Sequence, residues 1–135
     1  MATTHEIQPG RRIDLAREVV GFDRSDRHAR LVEQTGGPPQ RIDGFTVGAP
    51  ELTGAAPHDG EMHPDGDELL YLISGAATVT LELADGDRPV ELGAGGAVVV
   101  PKGVWHQITM REPGQLIHIT PGPNGDARPL TGAAR

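Results

Sequence analysis

An all-β sandwich or barrel is the fold class this sequence predicts, and three observations predict it. About eight short runs rich in Val, Ile, Leu and Thr recur at intervals of about ten residues, a spacing that suits antiparallel sheets rather than alternating strands and helices. The 19 Gly and 12 Pro are spread between those runs as turn punctuation instead of being gathered in one tract. Val79, Leu81 and Leu83 alternate with Thr78, Thr80 and Glu82, which is the period of a half-buried strand.

The elements follow in order. Residues 1–28 read as an N-terminal arm in which "RIDLAREVV" spaces Ile13, Arg17 and Val20 for two helical turns. The barrel is expected over residues 29–121. It opens with "ARLVEQT", closed by "GGPP", and "RIDGFTVGA" follows, with Phe45 expected to pack in the core or line the interior. "PELTGAAPHDG" is a loop by composition. The run "ELLYLISG" leads into "AATVTLELADGDR", whose "DGD" marks a hairpin turn. "GAGG" precedes the fully apolar "AVVVP", and "VWHQITM" and "QLIHITPG" supply two more strands around "REPG". The two-sided apolarity of "LLYLIS" and "AVVVP" marks strands covered on both faces. Residues 122–135 form a tail too poor in apolar residues to order itself, read as either a strap on the surface or a disordered end.

Composition narrows the function. Aromatic residues are 3% of the chain, so the core must be aliphatic. With no cysteine there is no disulfide, no thiolate nucleophile and no sulfur-rich zinc site; any metal must be held by His, Asp and Glu. The net charge of −7 speaks against a nucleic-acid partner, and the arginines of the arm are interleaved with acids. "MATTHEIQPGRR" lacks the apolar centre of a signal peptide and no segment approaches a membrane span, so the sequence reads as cytoplasmic and soluble. Between Arg41 and Arg88 there is no Lys or Arg but there are ten Asp or Glu, a stretch predisposed to attract a cation.

The densest part of that stretch is "GEMHPDGDELLYLIS". In an extended backbone residues two apart share a face, so Glu61 and His63 project together. The turn "PDGD" would bring Glu68 back beside them on a neighbouring antiparallel strand, and His106 follows the tight turn "PKG". Asp65 and Asp67 read as turn formers. Carboxylates buried among aliphatic residues require a counter-charge, and a divalent metal supplies it. Nitrogen and oxygen ligands without sulfur suit Zn, Fe(II), Mn, Ni or Co. His118 faces the pocket or the outside according to strand register. Tyr71 and Trp105, one residue off the parity of Glu68 and His106, point away.

Together "EMHPDGDELLYLISG" and "GGAVVVPKGVWHQITM" resemble the two motifs of the cupin superfamily. Glu61, His63, Glu68 and Gly75 carry the first motif, with four and six residues between the last three; Gly95, Pro101, Gly103, His106 and Met110 carry the second. Glu61 stands where the motif has its first histidine and Met110 where it often has asparagine. The resemblance implies a double-stranded β-helix, a jelly-roll barrel, holding one divalent metal (Fe, Zn, Mn or Ni) through Glu61, His63, Glu68 and His106. Glu61 either ligates or stands off as a general base, and His58 competes for the missing ligand position. It further implies a small-molecule enzyme of dioxygenase or isomerase type, or a non-catalytic ligand- or metal-binding cupin, in either case a homodimer joined through N-terminal strands. Arg41, Lys102 and Arg111 are the cations near the pocket and are expected at its rim, which points to a neutral carbonyl, enol or phenolic substrate rather than a phosphate.

Overall fold

A computed structural model describes residues 2–56 and 58–130, which are all-β with no helix among them. Its strands are β1 (Thr4–Glu6), β2 (Val20–Asp23), β3 (Ala29–Val32), β4 (Gly44–Gly48), β5 (Glu51–Leu52), β6 (Glu61–Met62), β7 (Glu68–Leu72), β8 (Ala76–Leu83), β9 (Gly86–Leu92), β10 (Ala97–Val100), β11 (His106–Glu112), β12 (Gly114–Gly122) and β13 (Asp126–Ala127). They form two antiparallel sheets. One has the order β1-β3-β2-β4-β12-β7-β10, with β5 added against β12; the other has the order β13-β6-β11-β8-β9.

The inward positions follow strand parity. Along β7, Glu68, Leu70 and Leu72 are buried, whereas Tyr71 is exposed. Leu70 and Leu72 join Ala77, Val79, Leu81, Leu92, Val100, Met110 and Leu116 in the core between the sheets. That core is aliphatic, as the composition requires, and Glu68 is the polar end of the same row.

Three expectations change. The "RIDLAREVV" segment makes a turn instead of a helix: the amides of Arg17 and Glu18 both donate to the Asp14 carbonyl. The β-branched pair Val19–Val20 then leads into β2, where Val20 pairs with Val47 and Leu31. Phe45 points outward at 46% exposure, opposite Phe22 and Pro121. The inward positions of β4 belong to Thr46 and Gly48, which face Thr120 and His118. Finally, β6 and β7 are not hairpin partners. β6 pairs with β11 and β13, and β7 pairs with β12 and β10, so "PDGD" carries the chain from one sheet to the other.

The tail is a strap as far as it is described. Asp126 and Ala127 pair with Met62 and Glu61, and the Arg128 guanidinium lies 3.9 Å from the centre of the Trp105 ring. Residues 131–135, the end of the predicted tail, lie outside the described residues.

Candidate metal centre

Each candidate ligand is held by a local device. Glu61 lies in β6 directly opposite His106 of β11. His63 follows two residues later on the same face, and its carbonyl accepts the amide of Gly103 from the "PKG" turn at 2.9 Å. Gly103 has φ +77°, a left-handed conformation that glycine adopts without strain. On the other side of the crossing loop, Asp67 accepts the Lys102 amide at 2.7 Å and Asp65 accepts the Asn124 amide at 2.7 Å. These two aspartates pin loops and take no part in the ligand cluster. Glu68 then begins β7 from the facing sheet.

The side chains converge in the interior. Candidate donor atoms of Glu61, His63 and His106 all lie within 4.8 Å of one another. Glu68 borders this trio, with its carboxylate 3.0 Å from His106 Nε2 and 3.3 Å from His63 Nε2. Those contacts are close enough for charge attraction but out of hydrogen-bond alignment. His63 Nδ1 and Nε2, Glu68 Oε1 and His106 Nε2 are thus buried without a hydrogen-bond partner. Native proteins seldom leave such atoms orphaned. On the far side of its ring His106 Nδ1 sits 3.4 Å from the Val104 carbonyl, an arrangement that leaves Nε2 for the interior.

Electrostatics agree with the geometry. Burial by itself would raise the pKa of Glu68, but His106 and His63 outweigh it and hold the carboxyl far below the usual carboxylate range. Burial would lower the pKa of His106; the neighbouring Glu68 more than offsets this and raises it. The imidazoles gathered round Glu68 therefore favour its ionised form. The site's two nitrogens, its carboxylates and its lack of sulfur suit a borderline or hard divalent cation, which would satisfy one orphaned nitrogen of each imidazole and the orphaned Glu68 oxygen.

Glu61 has a second set of neighbours. Arg41 reaches its Oε2 at 3.4 Å, and His58 Nε2 lies 3.5 Å from Oε1. The His58 Nδ1 accepts the Gly60 amide, so His58 turns toward the Glu61 carboxylate and is not in the trio. Arg41, with its side chain 13% exposed, belongs to the wall and not the rim, because the extended segment before β4 runs past the tail glycines with Arg41 against Gly122 and Gly125. Arg111 pairs instead with Glu91 at 2.7 Å.

A cavity of about 580 Å³ opens beside the cluster, lined by Glu61, Glu68, Arg41, His58, His118 and Thr120 on its polar side and by Leu70, Ile108, Met110 and Leu116 on its apolar side. His118 faces inward, which the register left open. Trp105 is not among the lining residues. Thr120 and Thr46, both 2% exposed, escaped the sequence reading; the signal available for Thr120 was its two-residue spacing from His118 on one strand.

Comparison with known proteins places this architecture. The family model described as "Cupin domain" matches residues 53–122. Among solved structures, a cupin-2 domain containing protein from Shewanella frigidimarina NCIMB 400 is similar at 23% identity and TM-score 0.51, over 67% of this chain and 84% of that one. The S161A mutant of Bacillus subtilis oxalate decarboxylase is similar at 25% identity and TM-score 0.52, over 62% of this chain. A Bacillus subtilis oxalate decarboxylase structure at the same identity and TM-score is described by its Mn(II) centres. This chain spans 23% of the length of those decarboxylase chains. Comparison with curated proteins finds no match.

Proposed function

The chain belongs to the cupin family, and from that premise we propose that it is a metal-dependent enzyme of dioxygenase or isomerase type acting on a small neutral carbonyl, enol or phenolic compound. Glu61, His63, Glu68 and His106 would hold one divalent metal. The observation that carries this reading is the convergence of three side chains, His63, Glu68 and His106, each with a buried, unpartnered nitrogen or oxygen atom, beside a cavity. When bound, the metal would supply Lewis acidity to an oxygen-bearing substrate.

The chain's own residues define the rest of the site. The apolar wall of Leu70, Ile108, Met110 and Leu116 strips water from a small organic molecule and leaves its oxygen atoms toward the polar side. Arg41 is already engaged with Glu61. No free cation remains among the described lining residues to clamp a phosphate or a dicarboxylate, which supports a neutral substrate. Glu61, placed between Arg41 and His58 on one side and the two histidines on the other, would be the ligand most open to exchange and the one of the four suited to act as a base.

The test is elemental analysis of the purified protein beside a His106→Ala variant. One equivalent of metal in the parent and its loss in the variant are expected; substoichiometric metal in the parent, or metal unaffected by the substitution, overturns the site. Oxygen uptake with a panel of phenols, diketones and enols, with oxalate included because of the solved neighbours, then sorts the chemistry. Stoichiometric metal without turnover of any member would favour the non-catalytic binding role.

The same proposal includes a homodimer. Phe22, Phe45, Tyr71 and Val99 are 37–52% exposed, and strand register places them on the outward face of the larger sheet. A row of exposed large apolar side chains on one face marks an interaction surface. Light scattering at micromolar concentration is expected to give twice the chain mass; a monomeric mass would overturn it.

A further inference from the structure

His118 and Thr120 are two apart on β12 and share its inward face. The Thr120 hydroxyl donates to Glu68 Oε2 at 2.6 Å, the length of a charge-assisted bond to a carboxylate. A hydroxyl has one proton. Having given it to Glu68, Thr120 Oγ1 can only accept at its 2.9 Å contact with His118 Nδ1. The proton of the neutral His118 ring is therefore fixed on Nδ1, and Nε2 is left as a bare lone pair. That nitrogen has no hydrogen-bond partner among the described residues, and His118 lines the cavity. Gly48, opposite His118 in register, keeps the nitrogen uncovered: a Cβ there would lie 2.7 Å from Nε2. Burial also lowers the pKa of His118, although Glu68 and Glu61 favour its charged form and Arg41 and His63 oppose it.

We propose that His118 is a second proton acceptor of the cavity beside Glu61, taking the hydroxyl proton of an enol or phenol bound beside Glu61, His63 and His106. The O–H bond breaks, its electron pair stays on the substrate oxygen as enolate or phenolate, and an N–H bond forms at Nε2. The resulting imidazolium faces Glu68 through the Thr120 hydroxyl, which stabilises it. Protonation of the product at the end of the reaction returns the ring to its neutral form. The proposal rests on the reading that an oxygen-bearing substrate occupies this cavity.

Two measurements test it. With ¹⁵N-labelled histidine in the metal-free protein at pH 7, proton–nitrogen correlation is expected to show His118 neutral with its proton on Nδ1, and Thr120→Val is expected to shift the proton toward Nε2. A charged His118, or the Nε2–H tautomer in the parent, overturns the proposal. In the second, 4-nitrocatechol and its doubly O-methylated analogue are titrated into manganese-loaded protein and followed by absorbance. His118→Phe is expected to weaken nitrocatechol about tenfold and to diminish the band of its ionised form, with the methylated analogue unaffected. Gly48→Ala, whose Cβ would lie 2.7 Å from Nε2 and so crowds that nitrogen out of its present position, is expected to do the same. Equal ionisation in parent and variants overturns the role of His118 alone; a parent that binds manganese but no nitrocatechol overturns the substrate class, and this proposal with it.

Discussion

Replacing Glu68 by glutamine keeps the shape of the side chain and removes its charge, so it isolates the electrostatics of the cluster. In the metal-free protein Glu68 is 4% exposed and touches His106, His63 and Thr120. Its folded pKa is lowered, so its stabilising contribution is present above the unfolded value of about 4.3 and is lost as pH falls through the folded value. His106 has the opposite sign. Its folded pKa is raised, so its contribution is present below about 6.5 and is lost as pH rises through the folded value. The pair therefore stabilises most between about pH 4.3 and 6.5. Loss of charge-assisted contacts at Glu68 costs about 1.5–3 kcal/mol at pH 8, where an unfolded histidine is neutral. At pH 5.5 the buried imidazole must also give up a proton that it keeps when unfolded, which adds about 1.4 kcal/mol. The expected penalty at pH 5.5 is thus about 3–4.4 kcal/mol, within the range for a buried pair that has lost one partner. Urea melts of chelator-treated parent and Glu68→Gln at the two pH values measure it. An equal or smaller penalty at pH 5.5 would refute the reasoning, because His106 would then be neutral beside a carboxylate that it does not feel.

Thr120→Val leaves Glu68 Oε2 without its donor in a buried site and is expected to cost about 1–3 kcal/mol by thermal unfolding, more than an exposed Thr→Val on the same sheet. Gly75 has φ +85°, and a Cβ there would meet the carbonyl oxygens of Pro113 and Glu112 at 2.6 and 2.8 Å. Gly75→Ala should therefore destabilise by more than 1 kcal/mol, roughly the strain of such a backbone, visible as a lower urea midpoint with unchanged slope. Val99→Asp, on the outward face at 52% exposure, should halve the mass by light scattering and leave metal content unaltered; a dimer that persists would place the interface elsewhere.

How far the sequence could be read depended on range. Periodicity along single strands was enough to put Glu61 with His63, Leu70 with Leu72, and Tyr71 outside, because those relations are local. The pairing of β6 was not local. Nothing within "EMHPDGDELL" says whether a tight turn ends in a hairpin or in a crossing to another sheet, and here the partner of Glu61 is His106, 45 positions later. Phe45 misled because burial is read from side-chain type, whereas the interior at that point needs the small or polar residues Thr46 and Gly48 beside the cavity. Arg41 was assigned to the rim because a charged residue in a loop is usually solvated, yet its neighbour Glu61 compensates it inside. The glycine and proline spacings of the two motifs were legible because each imposes a backbone shape, such as the left-handed Gly103 under His63.

The crossing at "PDGD" has a consequence for assembly. Glu61, His63 and His106 ride on one sheet or its flanking loop and Glu68 on the other, so neither sheet possesses a site until the two have met. An ion captured here is a rivet through both leaves of the barrel, and its capture should be all-or-none with their closure. Uptake of metal by a refolding chain would then time the moment at which the leaves shut.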